Sequence, residues 1–203
     1  MINDIDFARL CFEDKQYDKA KEIFLNNDML YEAGFSSLLA GNIKSAKLIW
    51  KEIKNPCSAT EWGFIILDLI ENKPHIRLPG YFQTRAFFEL YLGLFIENGH
   101  FDWAEEIINS YKFFTRANSE TPKFIARTLS VFGYHELIHE FSALAKRICY
   151  YDPEIHYIEA ESYLMEEKYK DAHKAVLELI KISPDYFPAK KMKNMIENSG
   201  FKF

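Results

Sequence analysis

The clearest catalytic spacing in this chain is the run His135-Glu136-Leu137-Ile138-His139, which spells H-E-x-x-H. On a helix, two imidazoles four residues apart lie on one face and can bind Zn²⁺, and the glutamate can act as a general base. A zinc hydrolase also needs a third protein ligand and an open coordination position. The nearest downstream candidates for that ligand are His156, Glu159 and Glu161. Taken alone, the motif predicts a zinc-dependent hydrolase.

The positions around this motif favour a structural role instead. Residues 133–134 are a glycine and a tyrosine and have the character of a turn, so the motif begins a helix rather than lying within one. Leu137 and Phe141 occupy packing positions of a sequence repeat, which predicts that His135 and His139 lie on the opposite, exposed face. The chain also has no phosphate-binding glycine loop and no Gly-x-Ser-x-Gly motif. We therefore expect a non-catalytic protein without a metal or cofactor, with the zinc hydrolase as the alternative.

The charge of the chain argues against a nucleic-acid partner. Its 203 residues carry a formal net charge of −5, with 25 Lys and Arg against 30 Asp and Glu. The charges are spread evenly, and binding to a phosphate backbone requires clustered positive charge, so we expect no nucleic-acid partner. The hydrophobic share of 48% is typical of a globular protein, and the aromatic share of 16% supplies apolar area to bury or to present to a partner.

The cysteines and the N-terminus predict a soluble protein of the cytoplasm. Cys11, Cys57 and Cys149 are odd in number and far apart, which is neither a disulfide framework nor a zinc cluster and fits a reducing compartment. The N-terminal run lacks the basic-then-apolar shape of a signal peptide. No uncharged apolar run approaches the ~20 residues of a membrane helix, so we expect no membrane association.

The elements that carry these residues follow a repeated pattern. An aromatic or apolar residue is followed three positions later by a small residue and four positions after that by a bulky one. The pattern occurs at Tyr17, Ala20 and Phe24; at Ile43, Ala46 and Trp50; at Phe101, Ala104 and Ile108; at Tyr134, Leu137 and Phe141; and at Tyr169, Ala172 and Val176. Strand-like alternation is scarce. Self-similarity at intervals of about 20–50 residues predicts an array of helix pairs.

The best of these units resembles the tetratricopeptide repeat family. Its small residue Ala160, aromatic residues Tyr163 and Tyr169, Ala172 and closing Pro184 stand in the order and spacing of that family. The resemblance covers most of the chain and implies an all-α superhelical stack of antiparallel helix pairs, an α-solenoid. The repeats are degenerate, so related helical arrays such as Sel1-like units remain alternatives.

Within this resemblance we expect a single domain that spans residues 1–203. Its units are 3–27, 28–55, a degenerate 56–80, 81–117, 118–152 and 153–184, followed by a capping helix at 187–198. Gly93 and Ala126, the small residues of the units 81–117 and 118–152, stand 11 positions before the alanine site instead of 12, which predicts a turn one residue shorter. The expected helix caps include Asn3 or Asp4, and Asp28, Thr121 and Asp152.

In the tetratricopeptide repeat family the first helix of each unit lines a concave groove, so the resemblance implies which residues face a partner. Carried over by position, they include Arg9, Phe12, Glu13, Tyr31, Phe35, Leu39, Lys123, Arg127, Tyr157 and Glu161. An apolar and aromatic groove with few charges suits an amphipathic helix or an extended peptide. The resemblance therefore implies a non-catalytic interaction module, such as an adaptor, scaffold or assembly factor, with a protein or peptide partner. The alternative for the same aromatic residues is packing against a second copy of the chain in a homo-oligomer.

Overall fold

A computed structural model describes residues 3–73 and 78–198, and every regular element in these residues is helical. The helices are α1 (Asp4–Glu13), α2 (Tyr17–Asn26), α3 (Leu30–Leu39), α4 (Ile43–Lys51), α5 (Ser58–Ile70), α6 (Tyr81–Ala86), α7 (Leu92–Glu97), α8 (Phe101–Asn109), α9 (Tyr111–Phe114), α10 (Thr121–Phe132), α11 (His135–Ile148), α12 (Pro153–Met165), α13 (Tyr169–Ile182) and α14 (Phe187–Asn198). A π-helical segment, Phe87–Tyr91, joins α6 to α7. None of the helices in this part of the chain is long and apolar enough to cross a membrane. The all-α class predicted from the sequence is confirmed.

The chain forms two compact units. Unit 1 lies within Met1–Arg77 and Leu94–Asn109, and unit 2 lies within Leu78–Gly93 and Ser110–Phe203. In unit 1 each helix from α1 to α5 packs against the next, and α8 packs against α5. In unit 2 the π segment packs against α10, and each helix from α10 to α14 packs against the next. Consecutive helices thus pack in adjacent pairs, as the repeat pattern predicts. Residues 74–77 of the predicted unit 56–80 lie outside the described residues.

The small residues of the repeated pattern lie where neighbouring helices approach closely. Ala8, Ala20, Ala46, Ala160 and Ala172 are all 0% exposed. In unit 1 the first two belong to one core cluster with Cys11, Phe24, Ala33 and Ile49. In unit 2 the last two belong to a second cluster with Ala175, Val176, Met192 and Ile196. Close packing of the helix pairs therefore depends on these short side chains.

A recurring turn ends many of the helices. In each case one residue has a positive φ, and the N–H of the next residue bonds to the carbonyl five positions earlier, which is the Schellman motif. The residues with positive φ are Lys15, Asp28, Gly41, Asn72, Gly99, Gly133 and Glu167. Two of the closing bonds, Gln16 N to Cys11 O and Lys168 N to Tyr163 O, measure 2.8 and 2.9 Å. The structure therefore repeats in its turns even where the residue types differ.

These turns correct the register expected for two of the helix pairs. Gly99, Gly133 and Glu167 follow one another at intervals of 34 positions, and their turns have the same form. The turns at Gly99 and Gly133 are therefore not one residue shorter than the turn at Glu167, contrary to the prediction. In α11 the buried position of the pattern is taken by Ile138, which is 1% exposed, and Leu137 beside it is only half-buried. The sequence pattern failed here because Tyr134 resembles the first helical residue but precedes it.

The helix boundaries follow the sequence signals closely, with identifiable exceptions. Asn3 and Asp152 are N-caps, and their side chains accept hydrogen bonds from backbone N–H groups at 2.8 and 3.0 Å. Asp28 is not a cap, because it has a φ of 55° and Met29 precedes α3. Thr121 is the first residue of α10 rather than its cap. The π segment was not predicted from the sequence.

The π segment is held by contacts inside unit 2. A π-helical turn bonds each carbonyl to the N–H five residues on instead of four. In this segment the carbonyl of Phe88 accepts a hydrogen bond of 2.7 Å from the hydroxyl of Thr128 on α10. The ring of Phe87 stacks on that of Phe114 with centroids 4.9 Å apart. The irregular helix is therefore stabilised by its neighbours.

Candidate functional site

Five of the predicted groove residues come together in unit 1. Arg9, Phe12 and Glu13 lie on α1, and Tyr31 and Phe35 lie on α3. They border a pocket of about 220 Å³, called the aromatic pocket below, which is lined by Arg9, Phe12, Glu13, Phe24, Tyr31, Glu32 and Phe35. Phe12 stacks against Phe35 with ring centroids 6.0 Å apart, and Phe35 stacks against Tyr31 at 6.2 Å. The side chains therefore form a continuous aromatic wall along two helices.

Trp50 fixes one end of this wall. Its ring stacks against Tyr31 with centroids 5.9 Å apart and an interplanar angle of 16°. Its indole N–H donates a hydrogen bond of 3.0 Å to the backbone carbonyl of Tyr31. Trp50 is 1% exposed and fits against Gly34 and Gly63, where no side chain separates it from the helix backbone. The shape of the pocket is therefore fixed by contacts within unit 1.

The rim of the aromatic pocket carries both signs of charge. Arg9 bonds to Asp6 at 3.3 Å, but both side chains are more than half exposed, at 63% and 53%. A surface ion pair of this kind contributes only about 0–1 kcal/mol, so Arg9 can exchange it for a partner at little cost. Glu13 and Glu32 add carboxylates to the same rim. The pocket combines an apolar interior with a rim that can pair with either charge.

The volume of the aromatic pocket limits what it can hold. Small-molecule and cofactor sites usually measure about 300–1,000 Å³. At 220 Å³ this pocket lies below that range and equals the volume of about seven waters at ~30 Å³ each. It is of the size that receives a single bulky side chain, and its lining supplies no cluster of metal-ligating groups.

Leu39 does not belong to this surface. It is 2% exposed, and its carbonyl accepts a hydrogen bond of 2.8 Å from Nε2 of His100, the residue before α8 in the same unit. The residues Ala33–Leu39 are all buried, because α3 is covered by other helices around most of its circumference. The positional transfer from the resemblance therefore placed Leu39 in the groove wrongly: its side chain is part of the core.

Lys123 and Arg127, the predicted groove cations of unit 2, are engaged in ion pairs. Lys123 contacts Glu120 at 2.6 Å and Asp152 at 2.9 Å, and its side chain is 11% exposed. Burial would lower the pKa of Lys123, but the hydrogen bonds to these carboxylates outweigh it and raise that pKa above its ordinary value. Arg127 binds Glu154 through two nitrogens at 2.6 Å each, and it also bonds to a carboxylate of the π segment, that of Glu89.

This network changes the role of those two cations. A buried charge that loses its partner destabilises a protein by about 3–5 kcal/mol. Lys123 and Arg127 therefore hold α10 to the beginning of α12, and a partner would have to break these bonds to use them. Their contribution to unit 2 is structural.

Tyr157 and Glu161 lie together on α12. The hydroxyl of Tyr157 donates to Glu161 at 3.3 Å, and its ring meets that of Tyr186 edge to face at 5.9 Å. Burial raises the pKa of Tyr157, and the charge of Glu161 adds to the effect. Both groups remain partly accessible. They form a polar, aromatic patch of unit 2 beside the ion pairs of α10.

The two histidines of the H-E-x-x-H motif face α12 rather than solvent, which corrects the expected exposure. Nδ1 of His135 bonds to the hydroxyl of Ser162 at 2.8 Å, and Nε2 of His139 bonds to Glu166 at 2.6 Å. The ring of His139 also stacks on Tyr163 with centroids 4.1 Å apart. Each histidine thus has its own partner on α12.

The hydrogen-bond partner of His139 is a charged side chain. Burial would raise the pKa of Glu166, but its hydrogen bonds with His139 and Lys168 prevail, so that pKa is lowered and the residue is a carboxylate. Among residues 3–73 and 78–198, no three His, Cys, Asp or Glu side chains are arranged to hold a metal ion. The two histidines of the motif instead contribute to the packing of α11 against α12.

Sequence reasoning missed two residues of the aromatic pocket. Phe24 was interpreted only as a packing residue of the repeat, yet its 3% exposed ring forms part of the pocket wall. Glu32 adjoins Tyr31 but was not recognised, because the transferred register follows one stripe of α3. The signal that could have found Glu32 is its position three residues before Phe35, since residues three apart lie on the same helix face.

Comparison with known proteins gives no identification. No family model matches this chain, and no curated protein and no solved structure is significantly similar to it.

Proposed function

We propose that the chain is a non-catalytic interaction module, an adaptor or scaffold, that captures a bulky apolar side chain of a protein partner in the aromatic pocket. The observation that carries this proposal is the aromatic wall of Phe12, Tyr31 and Phe35, which is open at its rim and already held by Trp50. A rigid wall avoids much of the entropy that a flexible surface loses on binding. The partner is best matched by an amphipathic helix or an extended peptide.

The binding free energy of one anchor side chain is too small for a tight complex, so the partner must also make contacts outside the pocket. Burying one large apolar side chain contributes about 1.5–3 kcal/mol, and an aromatic pair adds about 0.5–1.5 kcal/mol. A dissociation constant of about 1 μM corresponds to −8.2 kcal/mol, so the anchor alone does not suffice. Charged residues that flank the anchor can pair with Arg9 on one side and with Glu13 or Glu32 on the other.

The proposal extends to the architecture. The 34-residue spacing of Gly99, Gly133 and Glu167 and the shared turn geometry support a tetratricopeptide-like superhelical stack. The three cysteines are free, which supports the cytoplasm as the compartment. Partners other than nucleic acid are favoured by the net charge of −5.

The test is a peptide-display selection on the purified chain, followed by calorimetry with the selected peptides. We expect Phe12→Ala to weaken binding at least about tenfold, which is the loss of one anchor contact of roughly 1.4 kcal/mol. The matched control is Leu48→Ala on α4, since Leu48 is 64% exposed and lies outside the pocket. It should leave the affinity unchanged.

Two further measurements make the test independent of folding. Circular dichroism must show that Phe12→Ala is folded, and Arg9→Glu, which changes only an exposed side chain, should shift the charge preference of the selected peptides. The pocket is not the binding site if the selected peptides bind Phe12→Ala as tightly as the wild type and if, in NMR spectra, they shift amide signals outside α1 and α3.

A further inference from the structure

A second surface, distinct from the aromatic pocket, lies on α13 of unit 2. One stripe of this helix and the loop before α12 border a shallow depression of about 850 Å³, called the basic depression below. Its lining comprises Tyr150, Tyr151, Lys170, His173, Lys174, Leu177, Glu178, Lys181 and Ile182. The α13 residues recur at intervals of three and four, so they lie on one helix face.

The tyrosine wall of the basic depression is fixed in place. Nε2 of the buried His156 donates a hydrogen bond of 2.7 Å to the carbonyl of Tyr150, and the two rings meet edge to face at 5.1 Å. The hydroxyl of Tyr150 donates to Glu178 on α13. Tyr151 stands perpendicular to Tyr150 and is 77% exposed. The loop therefore presents the accessible ring of Tyr151 beside a tyrosine, Tyr150, that is held in place.

The charge of the basic depression opposes that of the chain as a whole. Lys170, Lys174 and Lys181 are exposed, and in the part of the chain that the structure describes none of them forms a salt bridge. Glu178 is the carboxylate of the lining, and its hydrogen bond from Tyr150 lowers its pKa. The surface thus has a local excess of positive charge on a chain of net charge −5.

We propose that the basic depression docks an acidic segment of a partner protein, with carboxylates on Lys170, Lys174 and Lys181 and an apolar residue against Tyr151 and Leu177. Charge complementarity selects the occupant, because such a surface attracts carboxylates and rejects basic segments. The aliphatic side chains of Leu177 and Ile182 in the lining give the apolar residue a surface to pack against.

The dimensions favour a short peptide over a nucleic acid. From Lys170 to Lys181 the helix rises about 17 Å at 1.5 Å per residue, which matches about five residues of extended chain. Three lysines neutralise only about three phosphates, and a longer strand would leave the depression and meet an acidic protein. An acidic peptide of this length ends within the basic surface.

Fluorescence anisotropy tests this docking surface directly. The probe is a fluorescein-labelled pentapeptide of alternating glutamate and leucine, and the matched probe replaces each glutamate with glutamine. We expect the double variant Lys170→Glu/Lys174→Glu to bind the acidic probe about tenfold more weakly, since two attractions become repulsions. The control Lys44→Glu/Lys51→Glu makes the same change of net charge on exposed residues of α4 and should change the affinity less than about twofold.

Other results would overturn the proposal. Equal affinity for the two probes, or for the wild type and Lys170→Glu/Lys174→Glu, would show that charge on α13 does not direct binding. Tighter binding of a single-stranded oligodeoxythymidine than of the acidic probe would assign the surface to nucleic acid. A dimer of the wild type in sedimentation that dissociates in Lys170→Glu/Lys174→Glu would assign it to a second copy of the chain. None of these outcomes depends on the aromatic pocket.

Discussion

Gly34→Ala should destabilise unit 1 because of Trp50. A Cβ at position 34 would lie 2.5 Å from Cδ1 and 2.7 Å from Cε2 of Trp50, and closer still to Nε1. The indole cannot simply rotate away, because it is 1% exposed and its N–H is bonded to the carbonyl of Tyr31 at 3.0 Å. The methyl group therefore forces the ring or α3 itself to move.

The magnitude follows from three contributions. Overpacking in a well-packed core costs about 1–3 kcal/mol. Loss or distortion of the Trp50–Tyr31 hydrogen bond costs about 0.5–1.5 kcal/mol. Replacing glycine by alanine inside a helix contributes about 0.8–1.0 kcal/mol in the opposite direction. The net expectation is a free energy of unfolding lower by about 1–3 kcal/mol.

Urea denaturation measures this change, and Trp fluorescence reports unit 1 because Trp50, Trp62 and Trp103 all lie there. The matched control is Gly93→Ala in α7, where the nearest atoms to a new Cβ are 3.8 Å away. That substitution should raise the stability seen by circular dichroism by about 0.5–1 kcal/mol. A Gly34→Ala protein as stable as the wild type would refute the reasoning.

A double-mutant cycle identifies the cause of the destabilisation. Trp50→Leu removes the indole atoms that meet the new methyl group, so Gly34→Ala in that background should be neutral or slightly stabilising. Additive losses would mean that Gly34 is required for another reason than the indole.

Two further predictions concern backbone strain and pH. Glu167 has a φ of 60° and Gly133 a φ of 73°, and only glycine adopts this conformation without strain. Glu167→Gly should therefore raise the free energy of unfolding by about 1 kcal/mol, and Gly133→Ala should lower it by a similar amount. Urea titrations measure both changes. The hydrogen bond from Lys123 holds the pKa of Glu120 below its ordinary value of 4.5. The folded-state pKa is thus the lower one, so this contribution to stability is complete above pH 4.5 and is lost as the pH falls through the lowered value. An NMR titration of Lys123→Met should show the pKa of Glu120 returned towards 4.5, and an unchanged titration would contradict the assignment.

Helix existence was predictable because its causes are local. Asn3 and Asp152 cap their helices through side-chain oxygens, as their residue types predict. The left-handed turns at Lys15 and Glu167 were not predictable by the same means. Neither is a glycine, and their conformation is fixed by the packing of the helices on either side rather than by residue type.

Part of the candidate site was predictable from the positions of its residues along the helices. Phe12 and Phe35 occur at groove positions in the resembled family, and the structure brings them together. Helix position alone does not report what covers or pairs with a side chain, so the burial of Leu39 and the ion pairs of Lys123 were not predicted. Leu39 is buried, and Lys123 is paired with Asp152 from a different helix, which no local pattern reveals.

The repetition of turn geometry carries more information than the repetition of residues. Lys15, Asp28, Asn72 and Glu167 adopt left-handed φ values that cost an L-residue about 1–2 kcal/mol each. Such strain persists only where the surrounding structure over-determines it. Here the Schellman bonds and the close contact of the paired helices supply that constraint, as in the 2.8 Å bond from Gln16 to Cys11. The helix-pair architecture is therefore strong enough to impose its turn on residues such as Lys15 and Glu167, which do not favour it.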